Sequence, residues 1–274
     1  MALVEAVAVL AVRNEEVYLG NALRHLKANG VKFAVIDNQS DDDTQSIIQS
    51  SEFSSDLVEA RNVPFEGKFD LKRLLREKMA LIEKLHADWV IHMDADEIMH
   101  PMIPGLTLQE AISLVDRDGC NAIAFSEFVF LPVKQTYLKD HEGFQPITSY
   151  YYYSPRAPRL MRAWKRSAGL SMVNGAGHTL EGPSIHLASE KMALRHYLFC
   201  NQEHAFRKYA TRRFKSEELA EGWHWNRHQQ PVHLFKFPSA ELLQELDQTA
   251  SRELRMDDPR KTHYWHWSEA RLAF

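Results

Sequence analysis

Asp94-Ala95-Asp96-Glu97 sets two carboxylates two residues apart, directly after the apolar run Trp89-Val90-Ile91-His92-Met93. Oxygen ligands of this kind suit Mg²⁺ or Mn²⁺, and a cation held by one or two carboxylates completes its shell with water and phosphate oxygens. The bland alternative is a solvated acidic turn. Two more polar clusters end apolar runs in the same way, Arg13-Asn14-Glu15-Glu16 and Asp37-Asn38-Gln39-Ser40-Asp41. An Asp at the end of an early parallel strand can accept hydrogen bonds from a base or ribose. Its alternative use is to cap the next helix, which Ser40, Asp41 and Asp42 can do without it.

The elements that must position these groups alternate. Val4 to Val12 is rich in Val, Ala and Leu, interrupted only by Glu5, and reads as a buried strand. Glu15 to Ala28 has helical spacing and stops at Asn29-Gly30, and Phe33 to Asp37 reads as a second strand. Thr44 to Ser50 is a short helix, Val58 to Asn62 a short strand, and Leu71 to Leu85 an amphipathic helix carrying Leu71, Leu74, Leu75, Met79, Ile82 and Leu85 on one face. Trp89 to Met93 is then a buried strand. Strand, helix, strand, helix implies parallel pairing with right-handed crossovers. The expected fold class is therefore α/β around a mainly parallel sheet, with three strand ends presenting polar groups along one edge, where ligands gather in such sheets. Leu106 to Val115 reads as a helix and Ala122 to Leu131 as a strand. A Tyr-, Pro- and His-rich region with little period follows, holding Trp164, Trp223, Trp225, Trp265 and Trp267. We expect one domain over residues 1–274, with a nucleotide-binding half (1–130) and an aromatic half (131–274).

Composition narrows the function classes. The chain has 274 residues, 33 Lys plus Arg against 37 Asp plus Glu, and a formal charge of −4, so no basic field recruits nucleic acid. Two cysteines, Cys120 and Cys200, make no disulfide framework, and the opening MALVEAVAVLAV lacks a basic leader region. No apolar run reaches the roughly 18 residues of a spanning helix. A cytoplasmic protein is expected, with peripheral association to a membrane surface left open. The absence of a Gly-rich phosphate loop argues against an NTPase.

Val12-Arg13-Asn14-Glu15-Glu16, the run from Val35 through Asp37 to Thr44, and Trp89 through Asp94 and Asp96 to Glu97 together resemble the family 2 glycosyltransferases. That family has the A-type glycosyltransferase fold, a Rossmann-like sandwich with an Asp-x-Asp metal motif. A softer likeness extends over Leu194-Arg195-His196-Tyr197 and the following Asn201 to Tyr209. The resemblance implies that Asn14 and Glu15 line a nucleotide pocket, that Asp37 reads the base with Asn38 beside it, and that Asp94 faces ribose and metal. It implies that Asp96 binds the Mn²⁺ or Mg²⁺ bridging the donor diphosphate, with His178 or His196 as a further metal or phosphate ligand. Arg73 and Arg76, one turn apart, could help neutralise the leaving group, or simply form a solvated helix face. An inverting transferase needs a carboxylate to deprotonate the acceptor, for which Glu127 and Glu181 are candidates.

The implied function is transfer of a sugar from a nucleotide-diphosphate donor, expected to be UDP-linked, to a saccharide or lipid-linked acceptor, as in polysaccharide assembly. Two alternatives use the same residues. One is a metal-dependent phosphohydrolase or nucleotidyltransferase; the other is a catalytically silent nucleotide-sugar-binding protein.

Overall fold

A computed structural model of the protein describes residues 2–133, 147–155, 159–224, 237–246 and 254–267. Trp225, one of the aromatics singled out above, lies outside them. The chain falls into two compact units: Met1–Phe65, Leu71–Phe125 and Arg159–Leu194 form the first, and Glu66–Asp70, Ser126–Pro158 and Arg195–Phe274 the second. Among the described residues no helix is long and apolar enough to cross a membrane.

The first unit is built in the expected alternating order, β1 (Ala6–Val12), α1 (Leu19–Ala28), β2 (Lys32–Asp37), α2 (Thr44–Ile48), β3 (Leu57–Asn62), α3 (Leu71–Ile82) and β4 (Trp89–Met93). Strands β4, β1, β2 and β3 are neighbours in that order and all parallel. Val12 lies level with Asp37 and Leu10 with Met93, so β1, β2 and β4 end together on one edge. Alternate residues of the pleat face one core: Val7 and Val9 of β1 and Ala34 and Ile36 of β2 pack with Leu75, Leu81 and Ile82 of α3. Helix α1 begins at Leu19, later than its periodicity suggests. The amides of Glu15 and Glu16 are taken by Thr44 Oγ1 (2.8 Å) and Asp42 Oδ2 (3.1 Å) of the next loop, which holds residues 15–18 in a turn.

After β5 (Glu97–His100), helix α4 (Leu108–Arg117) opens on a capping box: Thr107 accepts from the Glu110 amide, and Glu110 accepts from that of Thr107. Strand β6 (Ala122–Phe130) follows, then β7 (Ser149–Tyr153), β8 (Met161–Lys165) and β9 (Met192–Tyr197). In the first unit β8 runs antiparallel to β4 on one side and to Ala122–Ala124 on the other. Strands β8 and β9 lie in the stretch whose sequence has no clear period.

The second unit pairs Glu127–Phe130 with β7, and β7 with the two-residue β10 (Gln244–Glu245), all antiparallel. Helices α5 (Gln202–Ala205) and α6 (Ser216–Ala220) are short. Its core is aromatic, with Tyr151, Phe199, Tyr209, Tyr264, Trp265 and Trp267 packed together. The Tyr264 amide donates to Tyr151 Oη at 2.9 Å. Tyr264, Trp265 and Trp267 are thus part of the packed interior of this unit.

Candidate functional site

Two of the three strand-end loops are tied together by side chains. Asn14 Nδ2 donates to Asp41 Oδ1 at 2.6 Å, the Asp41 amide donates to Asn14 Oδ1 at 2.9 Å, and the Asn14 amide donates to Ser40 Oγ at 2.9 Å. Arg13 donates to the carbonyls of Asn38 and Gln39, and its guanidinium lies 3.8 Å from the Phe65 ring centroid. Asn14 and Gln39 both have φ of 57°, a left-handed conformation uncommon outside glycine. Each is held by these bonds; Gln39 Oε1 accepts from the Phe65 amide at 2.9 Å.

Asp37 is 4% exposed and its Oδ1 accepts from both the amide (3.1 Å) and hydroxyl (2.6 Å) of Ser40. These bonds close the 37–40 turn and do not cap α2, whose N-cap is Asp43 and whose Thr44 amide donates to Asp42 Oδ1 at 2.9 Å. Asn38 is buried, with Nδ2 donating to the carbonyls of Val63 (3.0 Å) and Pro64 (3.2 Å), so its amide latches β2 to the end of β3.

The third strand end is an ionic cluster. Glu97 donates its amide to the Asp94 carbonyl (3.1 Å), and Glu97 Oε2 accepts from the Asp94 amide (3.0 Å), closing the Asp-x-Asp turn from both sides. Asp96 is 7% exposed and the Asp94 side chain 48%. Asp94 Oδ1 lies 3.7 Å from Lys78 Nζ and Oδ2 3.6 Å from Arg162 Nη2, and Arg162 donates to Glu97 Oε1 at 2.7 Å. Lys78 is fully enclosed. It donates to the Met93 carbonyl at 3.0 Å and lies 2.9 Å from His92 Nδ1, and an ammonium can only donate, so His92 carries its proton on Nε2. Burial pushes the Lys78 ammonium down to about 8, opposed by Asp94 and reinforced by Arg162. Burial and then the Lys78 charge push His92 far down, which keeps it neutral.

Lys78 and Arg162 are the residues that sequence reasoning passed over. The signal for Lys78 was present: positions 71, 75, 78, 82 and 85 form one helical stripe, and 78 is its single charge. Arg162 had none, because β8 reaches β4 only by long-range antiparallel pairing. Arg76, expected to assist, is exposed on α3, and Arg73 reaches the Pro64 carbonyl at 3.3 Å.

The remaining candidates are spread. His178 Nδ1 lies 3.5 Å from Arg159 Nη2. Glu181 is exposed, pairs through its backbone with Ser171 and accepts from Asn174 Nδ2 at 2.9 Å. In the second unit, Glu127 Oε1 lies 2.8 Å from His196 Nδ1. Two residues expected to act separately, one as base and one as ligand, thus share a bond. Among the described residues no three His, Cys, Asp or Glu side chains converge as a ready-made metal cluster.

Among curated proteins nothing matches this sequence. Among solved structures, the chain is similar to S. aureus TarS 1–349 in complex with UDP, at 11% identity, covering 71% of this chain and 61% of that one, with a TM-score of 0.41. It is also similar to the mannosyltransferase PcManGT from Pyrobaculum calidifontis in complex with GDP-Man and Mn²⁺, at 16% identity over 46% of this chain and 36% of that one, TM-score 0.35. A third is glucosyl-3-phosphoglycerate synthase from Mycobacterium tuberculosis in complex with Mn²⁺, UDP and glucosyl-3-phosphoglycerate, at 19% identity over 46% and 44%, TM-score 0.30. The chain spans 29% to 61% of the length of the TarS chains it matches. The family profile that matches is that of glycosyltransferase family 92, over residues 7–231. The strand-end blocks that resemble family 2 all fall inside that match, and on its extent the protein belongs to glycosyltransferase family 92.

Proposed function

We propose that the protein transfers a sugar from a nucleotide-diphosphate donor to a saccharide or lipid-linked acceptor, with a divalent cation at the Asp94-Ala95-Asp96 turn. The observation that carries this reading is the alignment of β1, β2 and β4, which sets Asn14 and Glu15, Asp37, and Asp94 with Asp96 on one sheet edge. Asn14 and Glu15 form one wall of the donor pocket, and Asp37, whose two bonds from Ser40 both land on Oδ1, reads the base.

The residues fit a hard cation. Asp94 and Asp96 offer carboxylate oxygens, the side chain of Asp94 is half exposed, and a two-carboxylate site leaves the other positions to phosphate oxygens and water. When bound, Mn²⁺ or Mg²⁺ would neutralise charge developing on the departing diphosphate. The chain's own part is to hold the two carboxylates in a closed turn, which Glu97 does through two bonds. Deprotonation of the acceptor falls to Glu127 or Glu181. Glu127 has the more ordered setting, because an ionised carboxylate accepts only and so fixes the His196 proton on Nδ1.

Thermal unfolding with UDP and GDP, each with and without Mn²⁺, tests the reading, because a ligand that binds the folded state alone raises the melting temperature. A metal-dependent rise with one nucleotide, lost in Asp96→Ala, is the expected result. A rise that does not need metal, or no rise with any nucleotide, would count against it.

A further inference from the structure

Asp94 faces two cations that cannot leave. Lys78 and Arg162 are 2% and 3% exposed, one on the inner face of α3 and the other in β8. Lys78 is tied to His92 and Met93, and Arg162 to Glu97, so neither can swing out to solvent when another cation approaches. Each Asp94 oxygen has its own partner, at 3.7 and 3.6 Å. A divalent ion seated on Asp94 would meet two fixed positive charges at a range well inside the screening length of salt. Of the three carboxylates of the turn, Asp94 and Glu97 face the buried cations Lys78 and Arg162. A nucleoside diphosphate supplies the negative charge that the protein has already spent internally.

We propose that Lys78 and Arg162 are counter-cations that withhold divalent metal from Asp94 until a diphosphate is present, so that metal and nucleotide bind as a pair. The inference rests on the reading of Asp94 and Asp96 as a metal site. Both cations are positioning residues that act through Asp94. A purely structural role for them would give the opposite result on removal, since a loosened turn binds metal less well.

Mn²⁺ binding followed by the loss of its free-ion paramagnetic resonance signal tests this at pH 7, without turnover. The wild-type protein should take up Mn²⁺ at least about tenfold more tightly with excess UDP or GDP than without nucleotide, beyond what the nucleotide binds alone. Lys78→Met should raise the affinity for Mn²⁺ alone by about tenfold and shrink the nucleotide effect. Arg162→Gln should move both in the same direction, and serves if Lys78→Met does not fold. Wild-type uptake of Mn²⁺ that is equally tight with and without nucleotide overturns the proposal. So does unchanged or weaker Mn²⁺ affinity in the folded variants. If the wild type binds no Mn²⁺ even with saturating nucleotide, the metal site itself falls, and this inference with it.

Discussion

Glu97 bonds Asp94 twice, amide to carbonyl at 3.1 Å and side chain to amide at 3.0 Å, while its other oxygen takes Arg162 at 2.7 Å. One buried carboxylate thereby holds both the turn and the guanidinium. Glu97→Ala leaves Arg162 without its closest anion and should cost about 3–5 kcal/mol. Glu97→Gln keeps the shape and one acceptor, and should cost less, about 1–2 kcal/mol. Urea unfolding measures both, and a loss below 1 kcal/mol for the alanine variant would show that the arrangement is not structural.

Gly177 has φ of +76°, and a Cβ there would lie 2.5 Å from His92 Nε2. Gly119, just past α4, has nearly the same φ (+77°) with nothing within 4 Å. Alanine at either position meets the left-handed backbone penalty of about 1–2 kcal/mol. Only Gly177→Ala adds a clash, of about 1–3 kcal/mol. The difference between the two melting curves isolates the pressure of the 174–178 loop on His92, and equal losses would remove it.

Much of this was legible in the sequence, and physics says which part. A buried parallel strand needs a continuous apolar run, so β1, β2 and β4 stand out, and β4 is found over the very residues expected, Trp89–Met93. Their polar ends follow from the same fact, because ligands meet open sheets there. Strand β8 is short, two of its five residues are charged, and its partners lie far away in sequence, so nothing local announces it or the Arg162 it carries. Lys78 was hidden differently: a lysine inside an apolar stripe is read as an interruption, whereas here it is the buried partner of the next strand's terminus.

Asn14 should invert the usual ordering of substitutions. In most settings alanine is more stable than glycine. At φ of 57°, Asn14→Ala and Asn14→Gly lose the same bonds to Asp41, but alanine keeps the strain. The alanine variant should be less stable by about 1 kcal/mol. Denaturant midpoints give the comparison, and a more stable alanine variant would mean the loop relaxes to negative φ.

Lys78 gives stability a pH dependence of definite sign. Its ammonium is pushed down from 10.5 to about 8 by burial, Asp94 working against this. Below pH 8 folded and unfolded chains both carry the proton, and the cost of burying it is fully present. Between pH 8 and 10.5 the unfolded chain alone holds it, so unfolding free energy rises with pH, by on the order of 3 kcal/mol in total. Lys78→Met lacks this contribution. The gap between the two proteins, followed by urea unfolding from pH 7 to 10.5, should move in favour of the wild type; a constant gap would place the ammonium close to its ordinary value.

The antiparallel insertion of β8 beside β4 also sets an order of events in synthesis. Strands β1 to β4 are all made by Met93, yet the outer edge of β4 is covered only by Met161–Lys165, roughly 70 residues later. At ribosomal rates that is several seconds during which an apolar strand shows an unpaired edge, the kind of surface on which nascent chains join one another. A fragment stopped before Met161 should therefore be recovered as aggregate, and the release of full-length protein in soluble form depends on how fast a strand without a strong signal of its own finds its place.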